Sequence, residues 1–108
     1  MKLSESGEKI YWTKHSQAKM RQYHLSENRI RRVLRKPDRK ELGIAPKTIA
    51  IMQITGSKRH PTEIWLMYQK VKSKIIKIIS IWRYPGRSPI GEPPPIPEDI
   101  LWELKRNS

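Results

Sequence analysis

Ile30, Val33 and Leu34 stand at the i, i+3, i+4 spacing of a helix with one buried stripe, and the residues between them are polar or charged. Ser26 is a suitable N-cap for that helix, and Glu27 in its first turn suits the helix dipole. Pro37 ends it by removing a backbone amide and disfavouring the helical conformation of the residue before it. An earlier helix is predicted from about Thr13 or Lys14 to Tyr23, with Thr13 as N-cap and His24-Leu25 as the turn between the two. A short extended piece over 10–12 leads into it.

Past the turn-rich stretch ELGIAP the pattern changes to strands. Segments 47–54, 62–71 and 74–84 are rich in Ile, Thr, Trp and Tyr, and turn residues separate them. Strict alternation in the third would put Ile76, Ile78, Ser80, Trp82 and Tyr84 on one face and Ile75, Lys77, Ile79, Ile81 and Arg83 on the other. The run PGRSPIGEPPPIP that follows fits neither a helix nor a central strand and reads as a polyproline-like linker. Pro97-Glu98-Asp99 then opens a short helix with Ile100, Leu101 and Leu104 on its apolar side.

These elements predict an α+β fold: two N-terminal helices packed on one face of a three- to four-stranded antiparallel meander, plus a C-terminal helix. The expected divisions are a domain over 9–84, a Pro-rich linker over 85–97 and a helix over 98–108. The polar stretch 1–8 is expected to be a loose end. A chain of 108 residues makes one domain with a modest core.

Charge changes this picture from architecture to partner. The net charge is +13 and the sequence pI about 10.4, a balance that points to nucleic acid. The excess is localised: residues 1–91 carry 21 Lys and Arg against 6 Asp and Glu, while 92–108 carry 2 against 4. Arg29, Arg31, Arg32, Arg35 and Lys36 cover about 160° of the second helix, with no acid between Arg29 and Lys36. Such an arc suits phosphate contacts whose strength falls steeply with salt. Lys58 and Arg59 add a basic loop beside His60.

The chain has no cysteine, which removes disulfides and thiolate metal sites. Its N-terminus lacks the apolar region of a leader, and no apolar run approaches the roughly 20 residues of a membrane span, so a cytoplasmic protein without membrane association is expected. The three His residues show no metal-ligand spacing, and neither a metal nor a cofactor is expected.

The His-x-x-x-Lys-Met opening at His15, Lys19 and Met20, Leu25-Ser26-Glu27 between the helices, and Val33-Leu34 ahead of Pro37 resemble domain-of-unknown-function family 4258. That family is generally placed near the RelE and BrnT toxins, in a class of small folds that includes many metal-independent ribonucleases. The resemblance covers residues 11–84 and implies a RelE/BrnT-like α+β fold. It also implies RNA as substrate or partner, free or in the ribosome, and an acidic antitoxin as a protein partner. The linker and terminal helix fall outside the family's pattern.

Metal-independent RNA cleavage needs a base, an acid and cations to stabilise charge on the phosphate. His15 and Lys19 project from one helical face and supply candidates. Arg83 and Tyr84, near the end of the third strand, match positions where related toxins carry a basic or aromatic residue. The alternative for His15 is a hydrogen bond that fixes helix to sheet. For Arg83 it is a cation merely facing water. Trp12, Trp65, Trp82 and Trp102 are expected in the interior, since no Phe is available to fill it. The acidic terminal helix has two readings: a mask or cover folded over the basic body, or ordinary packing of Ile100, Leu101, Trp102 and Leu104 on the core. The functional expectation is a basic toxin-like RNA-binding protein with candidate endoribonuclease activity. Its alternative is a non-catalytic RNA- or ribosome-associated protein of the same fold.

Overall fold

The computed structural model describes residues 9–106. In chain order it contains β1 (Lys9–Trp12), α1 (Lys14–Tyr23), α2 (Glu27–Arg35), β2 (Arg39–Leu42), β3 (Thr48–Gly56), β4 (Pro61–Lys72), β5 (Ile75–Pro85) and α3 (Glu98–Arg106). The predicted loose N-terminal stretch and the last two residues lie outside the described part.

The fold is α+β, but the sheet has five strands and is mixed rather than a purely antiparallel meander. Its order is β1-β5-β4-β3-β2, with β1 parallel to β5 and the other pairs antiparallel. The extended piece before α1 is therefore an edge strand, paired with residues more than sixty positions later. Strand β2 escaped the sequence reading because its inward positions are Arg39 and Glu41, not apolar residues. They bond to each other (Arg39 Nε to Glu41 Oε1, 3.3 Å), and the Arg39 guanidinium lies 5.3 Å over the Trp65 ring. A cation on an aromatic face thus substitutes for an apolar contact at this edge.

Both helix starts match the sequence. Thr13 accepts from Ser16 N and caps α1, and Ser26 accepts from Arg29 N and caps α2. His24 takes a left-handed φ of 56° at the end of α1, and the next amide, Leu25 N, donates to Met20 O (2.8 Å). The chain reverses there in two residues.

Core residues divide across the sheet. On one face Ile30 and Val33 of α2 and Met20 of α1 meet Ile51, Ile64, Leu66, Ile76, Ile78 and Ile81. On the other, Ile100 of α3 meets Ala50, Met52, Trp65, Met67 and Trp82, with the two Trp rings stacked at 5.8 Å. The strict alternation expected along β5 fails at one place. Met67 pairs Ser80 while Tyr68 pairs Ile78, so Ile79 is an inserted bulge residue. Ile76 and Ile78 therefore face α2, whereas Ser80, Trp82 and Tyr84 fall on the α3 side.

The Pro-rich stretch is pinned rather than loose. Fully buried Glu63 accepts from Trp65 Nε1 (2.9 Å) and Ser88 Oγ (2.6 Å) through Oε1, and from Ser88 N (3.0 Å) through Oε2. Arg39 donates to Ser88 Oγ (2.9 Å) and to Glu92 O (2.7 Å). A buried carboxylate is tolerable only with such a full set of donors. This network leads the chain across the sheet to α3, which packs by Ile100 and partly by Leu104. Trp102, expected inside, is 67% exposed because it lies on the side of α3 away from the sheet.

Candidate nucleic-acid interface

Burial of Ile30 and Val33 fixes the rotation of α2 and so decides which of its cations face water. Arg32, Arg35 and Lys36 are exposed, and Arg29 is half-buried. Arg31 departs from the expected arc. Its guanidinium lies 5.7 Å over the Trp12 ring and 3.6 Å from Glu27 Oε1, and Nη1 is buried without a hydrogen-bond partner among the described residues. The basic surface is thus narrower than five cations in a row, because one of them covers the first strand.

Strand register supplies what α2 loses. β3 ends, β4 begins and β5 ends at the same edge of the sheet, where Ile64 pairs both Gln53 and Arg83. Lys36 reaches this end, since its carbonyl accepts from Gln53 Nε2 (3.3 Å). The β3–β4 turn that presents exposed Lys58 and Arg59 is also there. Gly56, at φ 83°, makes that turn feasible: a side chain at this position would collide with the His60 carbonyl as well as adopt a strained backbone.

Arg83 completes the group. It pairs Ile64 on the α2 face of the sheet, and its Nε donates to the Tyr23 carbonyl at the end of α1 (3.0 Å). Partial burial, followed by the nearby Arg32 and Arg83 charges, pulls the Arg29 pKa below its usual range. Arginine keeps its proton regardless, so the shift expresses mutual repulsion. Among the described residues none of Arg29, Arg32 and Arg83 is within ion-pair reach of a carboxylate. Three close guanidiniums without an anion can accept one, and their planar forks suit phosphate.

His15 and Lys19 occupy a different place. His15 Nε2 lies 3.0 Å from Ser80 Oγ, and Nδ1 lies 2.5 Å from Glu103 Oε2 of α3. Lys19 Nζ donates to Asp99 Oδ2 (2.7 Å) and to Gln22 Oε1 (3.1 Å). The hydrogen bond from Lys19 holds the Asp99 carboxyl below its ordinary pKa, outweighing the opposite effect of its partial burial. Burial, and then the Asp99 charge, push the Tyr23 phenol upward. Ser80, His15 and Glu103 are ordered like a nucleophile, base and orienting acid. Ser80 is fully buried on its strand, however, so this relay ties α1, β5 and α3 together and offers no exposed nucleophile.

The four candidate catalytic residues therefore do not converge. Arg83 faces α2, Tyr84 packs half-buried on the α3 side, and His15 and Lys19 are paired to acids. Sequence reasoning missed Ser80, Glu103 and Asp99 as partners because they lie 65 to 88 positions from α1. The only signal available was the acidic character of the terminal helix. Among the described residues no group of three His, Asp or Glu side chains could hold a metal ion, and no helix is long and apolar enough to cross a membrane.

No protein-family model, curated protein or solved structure matches the chain.

Proposed function

We propose that this protein binds RNA through the basic end of its sheet, gripping phosphates with Arg29, Arg32 and Arg83 and extending the contact through Lys36, Lys58 and Arg59. The observation that carries this reading is the uncompensated Arg29–Arg32–Arg83 cluster, which combines cations from two elements distant in sequence. RNA is favoured over duplex DNA because α2 buries its apolar stripe in the core and, among the described residues, no helix stands out from the body to enter a major groove. A RelE/BrnT-like arrangement accords with the helix pair preceding the antiparallel part of the sheet. The acidic antitoxin implied by the resemblance would meet the same basic end.

A second reading, metal-independent RNA cleavage, draws on one observation: His15 and Lys19 project from the same face of α1, one turn apart. Fluorescence anisotropy with a labelled single-stranded RNA tests binding, and gel analysis of the same mixture tests cleavage. Retention without cutting supports the binding function. Cutting that disappears in His15→Ala would transfer the lead to the nuclease.

A further inference from the structure

His15 and Lys19 are one turn apart on α1, and Glu103 and Asp99 are one turn apart on α3. Their pairing, first with last, makes a two-rung antiparallel ladder. Each rung sets a cation or potential cation on the body against a carboxylate on the net-acidic end of the chain. Lys19 has a side chain only 8% exposed, while its partner Asp99 is 51% exposed and Glu103 43% exposed. The acids approach from the solvent side, as an external anion would.

The strip that they cover runs along α1 toward the open arginine cluster. One turn beyond Lys19 comes Tyr23, whose carbonyl holds Arg83. A helical turn advances about 5.4 Å, comparable to the step between phosphates of an extended strand. Beyond His15 a cavity of about 320 Å³ carries Lys77 and Gln69 on its wall, leaving room for further chain.

The attachment of α3 also suits a cover. Among its described residues only Ile100 is fully buried, and Trp102 points to solvent. Upstream, the Glu63–Ser88–Arg39 network fixes the chain, so α3 can lift from α1 and remain tethered near it.

Resting on the RNA reading, we propose that His15 and Lys19 form a second phosphate-binding strip, that Asp99 and Glu103 occupy it in the free protein, and that bound RNA displaces α3 from it. The carboxylates act as resident substitutes for phosphodiester groups. Affinity for RNA is therefore lowered by the cost of lifting α3, and weakening the two acids raises it.

The test uses the full chain and an unstructured, fluorescein-labelled 12-nucleotide RNA. Anisotropy compares the parent with Asp99→Asn/Glu103→Gln and with Glu92→Gln/Glu98→Gln, a control with the same change of charge. Hydrogen exchange of the α3 amides is followed in the parent with and without RNA, which needs no variant to fold. The expected result is at least about fivefold tighter binding by the first variant than by the control, with α3 losing protection when RNA binds. Equal affinities in the two variants, or α3 protection unchanged in the RNA complex, would overturn the cover while leaving RNA binding intact. Failure of the parent and both variants to bind RNA would overturn both readings.

Discussion

Lys19 Nζ lies 2.7 Å from Asp99 Oδ2, joining the first helix of the chain to its last across 80 positions. Lys19 is nearly enclosed and Asp99 half-exposed, so the pair is intermediate between a surface ion pair and a buried one. A double-mutant cycle with Lys19→Met and Asp99→Asn should give a coupling of about 1 kcal/mol in urea denaturation, reduced from the value for a buried charged hydrogen bond by solvent screening. Strict additivity would show that this pair does not help to hold α3.

The same pair predicts a pH dependence. Because the folded-state pKa of Asp99 is depressed, its stabilisation is complete above the ordinary carboxylate value of 3.8 and is lost as pH falls through the lower folded value. Tyr23 acts oppositely: its raised pKa gives stability that is present below the ordinary phenol value of 10.0 and is lost as pH rises through the folded value. Thermal melts across pH should become flatter on the acid side in Asp99→Asn and on the alkaline side in Tyr23→Phe. Unchanged profiles would contradict the assigned contacts.

On the apolar side, Ile100 is fully buried against the stacked Trp65 and Trp82. Ile100→Ala should cost about 2–4 kcal/mol, whereas Trp102→Ala should stay within about 0.5 kcal/mol. Chemical denaturation of the two variants distinguishes them, and comparable losses would mean that Trp102 is covered in solution.

Arg31 separates the structural basic surface from the one inferred from helix phase. Arg32→Ala should weaken RNA binding severalfold by removing a phosphate contact. Arg31→Ala should leave affinity near the parent's and lower stability by about 0.5–1 kcal/mol through loss of its contact with Trp12. Parallel anisotropy and melting measurements decide this, and equal loss of affinity in the two variants would restore the full arc.

The helices and the three long strands were legible because their apolar spacing and caps are local properties: Thr13 and Ser26 cap the helices that they were expected to cap. What escaped was set by partners far along the chain. Strand β2 presents Arg39 and Glu41 inward, a pattern that acquires sense only beside Trp65 and Ser88. The bulge at Ile79 reverses the facing of half of β5 without any Gly or Pro to announce it. In the candidate site, Arg29 and Arg32 were visible from helix phase, yet their junction with Arg83 depends on where β5 ends. The pinning of the Pro-rich stretch by buried Glu63 has the same character, since a lone Glu in a strand gives no sign of the three donors around it.

The central claim is phosphate binding by the basic end of the sheet, and the salt dependence of single-stranded RNA affinity tests it most directly. About six phosphate contacts predict a slope of roughly −4.2 in log affinity against log salt, and Arg29→Ala/Arg32→Ala/Arg83→Ala should reduce it to roughly −2.1. A slope near zero in the parent protein, or one unchanged in the triple variant, would contradict the account.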